Sequence, residues 1–455
     1  MALGVHIFVF PLKPWLNVYK KILFFSTLLI LFSFLLITFC LFQSCKNETK
    51  KAGDTKGFTY DEKIEKEFQE KLILVEDGGT VEFPAGKYLL KKTLSMEGKK
   101  NVTIKGAGTQ KTILSFLGQN EGAEGINITN CQNVTMEGLT VQDAKGDNIK
   151  LKNCDGVALR YLNSTWTTGA DTSNGNYGYY PVECRNVLVE YCEVSYCADA
   201  GVYVGQSTNV TIRHCYAHHN VAGIEIENCI NSDVYKNKAE NNAGGILIFD
   251  LPKLFQANGR NAKVWDNECL NNNFQNFGKP GSIVSAIPPG TGMIVMATDS
   301  VAIFNNKIKD NKTVGIATVS YLITGKQLND STYGPYCTSI FIHDNTFDRS
   351  GLSITQKVPD LSTDLGKLLT AAFKGGVDIL VDGSADPKLR NKNGQLPEGK
   401  RICIRNNGNI KFGNLNAWKA SGAKDIIKYK DEDISKFDCS ILNINGNGLK
   451  PEDAK

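Results

Sequence analysis

The chain has 455 residues, of which 22% are charged, and a formal net charge of +4. A nucleic-acid-binding protein needs a strongly basic face, so this interspersed balance argues against nucleic acid as a partner. The length would suit several ordinary domains or one long repeat domain.

Residues 22–42 are almost entirely apolar and follow Lys20 and Lys21. A basic segment, an apolar run and small residues before a cysteine are typical of a bacterial lipoprotein export signal. We therefore expect residues 1–45 to be that segment, with Cys45 lipidated and the protein held in the cell envelope outside the cytoplasm, in the periplasm or at the outer membrane. The alternative is an uncleaved anchor helix, because about 20 apolar residues can cross a bilayer.

A polar linker at 46–57 precedes an amphipathic pattern at 58–74. Apolar residues at every fourth position predict one helix there; they are Ile64, Phe68 and Leu72. Thr59 and Glu62 have the spacing of a capping box. Because a solenoid needs a plug on its open first coil, we expect this helix to be the N-terminal cap.

Gly201, Gly223 and Gly245 are 22 residues apart, and each is followed by apolar residues at alternate positions. A period in the twenties indicates a solenoid, and alternation indicates strands. These patterns predict an all-β fold, a right-handed single-stranded parallel β-helix over residues 75–412, because right-handed crossovers are the rule. Residues 413–455 are expected to cap the other end.

Several residue types recur at fixed positions of the coils and should form columns. The first asparagine column is Asn237, Asn267, Asn306 and Asn345, and the second is Asn220, Asn242, Asn272 and Asn311. Other columns are Cys131, Cys154, Cys184, Ser207 and Cys229, and inward-facing Val134, Val157, Val187 and Val210. Stacked coils would allow disulfides Cys131–Cys154 and Cys192–Cys215. Stacked free thiols are the favoured alternative.

Four segments, at 180–183, 199–207, 221–228 and 244–252, are similar to a family of exported bacterial right-handed parallel β-helix repeat proteins. That family lies within the pectate-lyase-like superfamily of polysaccharide lyases, hydrolases, epimerases and carbohydrate-binding proteins. The narrower family has no established activity, and its members often pair with an exported c-type cytochrome. The resemblance therefore implies such a cytochrome as a partner.

Three insertions interrupt the coil pattern, at 167–178, 251–261 and 273–291. Each lies next to the first strand of a coil, and long loops on a regular scaffold are usually functional. We expect the loops at 167–178 and 273–291 to wall an open groove over these strands.

Outward and strand-end positions of the same strands carry the candidate ligand-binding residues, Tyr180, Glu183, Tyr203, Gln206, Glu225, Glu227 and Asp250. Glu225 and Glu227 should lie about 6.8 Å apart on one face. As exposed carboxylates, they should contribute little to stability.

This separation suits two kinds of chemistry. Glu225, Glu227 and Asp250 are candidate catalytic groups, the first two as an inverting pair, or together as ligands of Ca²⁺, the one cofactor that the sequence suggests. His214, His218 and His219 lie near Cys192, Cys197 and Cys215, but no compact metal-binding signature is present, which favours structural cysteines.

Two functional hypotheses follow. The first is an envelope lipoprotein whose β-helix presents a groove for a carbohydrate or a partner protein. The second is a polysaccharide-active enzyme, a lyase, hydrolase or epimerase. The near absence of Lys and Arg on the outward strand positions, apart from Lys150 and Lys152, favours the first.

Overall fold

The computed structural model describes residues 57–441 and 444, apart from 354, 358, 374, 393–394 and 421–422. Between the N-terminal helix and Asn414 the chain winds into coils, and the described strands form three sheets of 11 strands each. Neighbouring strands in a sheet belong to successive coils and run parallel. The predicted all-β solenoid is confirmed.

The front sheet holds the first strand of each coil: Lys92–Glu97, Glu121–Thr129, Ile149–Lys152, Tyr179–Val182, Ala200–Gly205, Ala222–Glu227, Gly244–Phe249, Thr291–Met296, Val314–Val319, Val377–Val381 and Phe412–Asn414. The second sheet holds Thr80–Phe83, Thr103–Gly106, Gln132–Glu137, Asp155–Arg160, Arg185–Glu190, Thr208–Arg213, Ile230–Tyr235, Arg260–Trp265, Asp299–Phe304, Thr338–His343 and Ile402–Arg405. The third sheet holds Thr59–Tyr60, Gly86–Leu89, Thr112–Ser115, Thr140–Gln142, Asn163–Thr165, Glu193–Ser195, Tyr216–His218, Lys238–Glu240, Glu268–Leu270, Lys307–Lys309 and Thr346–Asp348.

The helices lie outside these sheets. The α-helices are α1 Glu62–Leu74, α2 Asp364–Phe373 and α3 Ala423–Tyr429. Short 3-10 turns are Val284–Ala286, Tyr321–Thr324, Pro387–Leu389, Glu398–Lys400, Ala417–Lys419 and Ile434–Phe437. Among the described residues, none of the helices is long and apolar enough to cross a membrane.

Helix α1 buries Phe68 and Leu72 of its apolar stripe in the interior of the solenoid. The predicted capping box is wrong, because Thr59 is part of a strand and pairs with Tyr88. The cap is Asp61, whose carboxylate accepts hydrogen bonds from the backbone amides of Lys63 and Ile64. The tertiary strand pairing therefore overrides the local capping pattern.

The asparagine columns form as predicted. The first lies along the corner between the second and third sheets, and the second lies along the corner between the third and front sheets. The side-chain amide of each asparagine donates to the next, from Asn237 through Asn267, Asn306 and Asn345 to Asn407, at 2.9–3.0 Å. The column at Asn220, Asn242, Asn272 and Asn311 is linked in the same way. The sequence separations vary from 30 to 62 residues in the first column, so insertions leave the rungs in place.

The cysteines line the interior. Nine described cysteines are free and buried, including all four of the predicted disulfide candidates, so the stacked-thiol alternative describes this structure. One disulfide joins Cys403 in the last strand of the second sheet to Cys439 in the C-terminal segment. The predicted export segment, with Cys45, lies outside the described residues.

Candidate functional site

The register brings the predicted outward residues together on the front sheet. Tyr203 pairs with Glu225 in the next coil, and Gly205 pairs with Glu227. Tyr180 lies one rung before Tyr203, because their neighbours Tyr179 and Val202 are paired.

The expected exposure of this face is wrong. Tyr203, Glu225, Glu227 and Asp250 are 3%, 2%, 9% and 1% exposed, whereas Tyr180 remains partly exposed. A second apolar layer covers the later coils. It packs the outward residues Leu247, Phe249, Ile294, Met296, Ala317 and Val319 against the inserted residues Phe277, Val284, Ile287, Tyr321 and Tyr333.

The two insertions meet over the sheet instead of walling an open groove. Lys279 of the 273–291 loop donates from Nζ to Oδ1 of Asn176 in the 167–178 loop, at 2.8 Å. Tyr177 of the same loop stacks on Tyr203 with ring centroids 4.3 Å apart. The tyrosine cluster is completed by Tyr180, whose ring lies 4.6 Å from Tyr177 and 5.1 Å from Tyr203.

Four carboxyl groups converge beside these tyrosines. Burial, with the charges of Asp199 and Glu227, raises the pKa of Glu225 well above its usual range. Burial raises the pKa of Glu227 to about 7, although the Tyr203 hydroxyl donates to its Oε1 at 2.7 Å and opposes the shift. Asp199 has a strongly raised pKa for the same reason, and that of Asp147 rises to about 6.

One oxygen of this cluster has no partner. The Oε2 atom of Glu225 is buried and accepts no hydrogen bond within the described part of the chain. A buried polar atom without a partner costs roughly 1–3 kcal/mol, so it marks a position where a ligand donor would be stabilising. Asp147, Tyr177, Tyr180, Asp199 and Lys279 around the cluster are partly exposed.

The remaining predicted residues serve other contacts. Glu183 forms an ion pair with Lys152 at 3.4 Å. Gln206 accepts a hydrogen bond from the backbone of Phe255, and Asp250 accepts one from the backbone of Gly259, so both hold the 251–261 loop. The second carboxylate oxygen of Asp250, Oδ2, is also buried without a partner, and burial raises the pKa of Asp250 to about 7.

The described residues contain no group of three or more His, Cys, Asp or Glu side chains arranged to hold a metal ion. The calcium alternative for Glu225, Glu227 and Asp250 stays a prediction. His218 instead contacts Glu193 at 3.2 Å and His219 at 2.8 Å.

Sequence reasoning missed Asp147, Tyr177, Asp199 and Lys279. The first three lie just before a front strand, and continuing the coil register a few residues upstream would have placed them beside the candidate face. Lys279 had no comparable signal, because its loop has no counterpart in the other coils.

Residues 94–259 match the family model described as the right handed beta helix region. The match agrees with the parallel coils described above, and the fold is that of a right-handed parallel β-helix. The β-helix is also 22% identical to the pre-neck appendage protein of Bacillus phage phi29 and to the preneck appendage protein of Bacillus phage PZA, over 38% of this chain and 24% of each relative. It thus spans about a quarter of the length of these curated relatives.

Solved structures with a similar coiled fold include the A-module of a mannuronan C-5 epimerase from Azotobacter vinelandii, at 14% identity and a TM-score of 0.43, covering 77% of this chain and 95% of that one. An alginate lyase from Paenibacillus is 11% identical with a TM-score of 0.38, and the match covers 62% of this chain and 93% of that one. The DFA-IIIase of Arthrobacter chlorophenolicus is 10% identical with a TM-score of 0.40, and the match covers 69% of this chain and 87% of that one. At these values the likenesses say nothing about what the front sheet binds.

Proposed function

We propose that the protein binds a neutral carbohydrate at the tyrosine and carboxyl cluster of the front sheet. The observation that carries the proposal is the buried, unpartnered Oε2 of Glu225 beside the aromatic cluster. A sugar hydroxyl can donate to this carboxyl oxygen when it is ionised or accept from it when it is protonated, and tyrosine rings supply apolar surface for a sugar face.

The charge balance bears on the sugar class. The cluster contains Asp147, Asp199, Glu225 and Glu227, whereas the cations near it are Lys279 and Lys150, and Lys150 is already paired with Glu124 at 3.1 Å. The carboxylate of a uronate would be a further negative charge beside these groups, and the described residues near it offer no free cation to pair with other than Lys279. Neutral sugars are therefore favoured over uronates.

The test is titration calorimetry of the full chain, purified in detergent, with cellohexaose, mannohexaose, xylohexaose and hexagalacturonate. We expect a neutral hexaose to bind and the double variant Glu225→Gln, Glu227→Gln to weaken that binding at least tenfold. Glu82→Gln is the matched control, because Glu82 is exposed on the second sheet. The proposal is contradicted if hexagalacturonate binds more tightly than the neutral hexaoses, or if the double variant binds the hexaose with the affinity of wild type.

A second candidate function is hydrolysis of the same ligand. The Tyr203 hydroxyl favours the ionised form of Glu227, while burial favours the protonated form of Glu225 by raising its pKa, and two carboxyls with such different environments can act as base and acid. If so, reducing ends should accumulate with wild type, and Glu225→Gln should stop their release while the hexaose still binds. If the wild-type protein binds the hexaose but releases no reducing ends, hydrolysis is contradicted and carbohydrate binding is the function that stands.

We propose that lipid on Cys45 places this binding surface in the cell envelope. The exported c-type cytochrome remains a predicted partner. Co-purification of a haem protein with the full chain from its native membranes would test that prediction.

A further inference from the structure

A groove at the corner between the second and third sheets lies outside the candidate site. It encloses about 480 Å³ and is lined by residues of five successive coils, from Gly108 and Thr109 to His214 and Tyr216. Four rung spacings make it about 19 Å long, parallel to the axis of the β-helix. This length suits an extended chain better than a compact small molecule.

One wall of the groove is a stack of aromatic rings. Tyr161 stacks on Tyr191 with centroids 5.0 Å apart, and Tyr191 stacks on His214 at 4.7 Å. The rings are almost parallel, at 7° and 2°, so the inner ring faces cover one another. Tyr161 and Tyr191 are nevertheless 55% and 45% exposed.

The stack stops at Tyr161 because the next two rungs have no side chain. The backbone of Gly138 donates to the carbonyl of Tyr161, and the strand register places Gly106 opposite Gly138. A Cβ on Gly106 would lie 2.3 Å from the carbonyl oxygen of Gly138, so that position must be glycine. The outer ring face of Tyr161 therefore overlooks a shelf of bare backbone.

The other wall is polar and carries little charge. It presents Asn163, Glu193 and Tyr216. The described lining contains no Lys or Arg, and Lys238 approaches it with Nζ 5.2 Å from the centre of the Tyr216 ring. His218 contacts Glu193 and keeps the pKa of that carboxyl below its usual value, so Glu193 stays an ionised acceptor. The nearby Lys238 is neutralised by an ion pair with Glu240 at 2.6 Å, so the groove offers hydrogen-bond acceptors beside an aromatic surface and little net positive charge for an anionic ligand.

We propose that this groove binds a neutral glycan chain along the axis of the β-helix, with one sugar ring on the free face of Tyr161. The ring occupies the vacant rung above Gly138, so the ligand continues the aromatic stack. Its hydroxyls donate to Glu193 and to the side-chain oxygen of Asn163. This site is independent of the front sheet and of the function proposed there.

The test uses the full chain in detergent, carrying Glu225→Gln and Glu227→Gln so that the front sheet does not contribute. Saturation-transfer NMR with cellohexaose, mannohexaose and xylohexaose reports binding. We expect transfer from the protein to at least one hexaose. Adding Tyr161→Ala should weaken that binding at least tenfold, and so should Thr109→Trp, which fills the shelf without touching the stack.

Phe304→Ala is the matched control. Phe304 belongs to a neighbouring part of the aromatic surface, stacked between Trp265 and His343, but it does not line the groove. Its removal should leave the affinity unchanged. The groove site is overturned if the Glu225→Gln, Glu227→Gln protein binds none of the three hexaoses, or if Tyr161→Ala and Thr109→Trp leave the affinity as it was. If wild type binds a hexaose and the Glu225→Gln, Glu227→Gln protein does not, the front-sheet site accounts for all of the binding.

Discussion

Glu225 and Glu227 alternate with Ile224 and Ile226 along one strand, so their carboxyl groups leave the core of the solenoid and enter a second buried layer. Burial without a cation disfavours the charged form. The folded state therefore binds protons at this site more tightly than the unfolded chain does.

This proton binding makes stability depend on pH at Glu227. Its folded pKa, about 7, lies above that of an unfolded glutamate, so its stabilising contribution is complete below about pH 4 and is lost as pH rises through 7. The full effect is about 3 kcal/mol. Glu227→Gln mimics the protonated form, so we expect its Tm relative to wild type to rise by several degrees between pH 5 and pH 8.

Differential scanning calorimetry at the two pH values measures this difference. The exposed Glu82→Gln variant should follow wild type at both. If Glu227→Gln has the same pH slope as wild type, the carboxyl is already ionised without cost, and the buried cluster cannot act as described.

At this scale the sequence predicted which side chains share a face but not their exposure. Alternation within a strand places Tyr203 and Glu225 outward whatever covers them. The cover comes from insertions and from segments as distant as Tyr333, which touches the backbone of Asp250 across 83 residues. No local pattern near residue 225 carries that information.

At the scale of elements, the asparagine column fixes the corner between the second and third sheets. Asn267 accepts from the backbone and side chain of Asn237 and donates to Val234 and Asn306, four buried hydrogen bonds within 3.0 Å. Such columns were predictable, because asparagine recurs at one coil position and satisfies turn backbone.

We expect Asn267→Ala to lower the free energy of unfolding by about 3 kcal/mol or more, because it leaves buried donors and acceptors unpaired. Guanidinium unfolding followed by circular dichroism measures the effect. Lys307→Ala is the control: it removes only an exposed ion pair to Glu268, which contributes at most about 1 kcal/mol. Equal midpoints for the two variants would contradict a structural role for the column.

The disulfide Cys403–Cys439 ties the C-terminal segment to the end of the solenoid. It closes a segment of 36 residues, for which the loss of chain entropy in the unfolded state corresponds to about 4 kcal/mol. Replacing both cysteines with serine should lower the Tm and expose the segment after residue 412 to proteolysis. Labelling of Cys403 by a thiol reagent in unreduced protein would show that the bond is absent.

At the scale of the whole molecule, the period of 22 residues and the alternation within it were enough to predict the β-helix. Each coil contacts its neighbours, so the sequence pattern that specifies the fold is short and recurs in every coil. The disulfide could not be predicted, because Cys403 and Cys439 belong to the irregular end, where no register relates them.

The proposed lipidation of Cys45 predicts how the whole molecule divides between membrane and soluble fractions. Each buried CH₂ of an acyl chain contributes about 0.8 kcal/mol to membrane binding, so Cys45→Ala should move the protein from the membrane pellet to the soluble fraction. Cys40→Ala, within the same apolar run, should leave it in the pellet. If Cys45→Ala also stays there, residues 22–42 act as a permanent anchor.

The apolar cover over the later coils has a consequence for the shape of any ligand. Outward positions of the front sheet reach solvent at Ser95, Asn127, Lys150 and Tyr180, and they are buried from Tyr203 onward. The accessible track is thus about 14 Å long and stops at the carboxyl cluster. Because the track ends there, a linear polymer bound along it would place one of its chain ends, and not an internal sugar, at Glu225 and Glu227. Occupancy should then follow the molar concentration of chain ends, so that shortening a polysaccharide at constant mass increases binding.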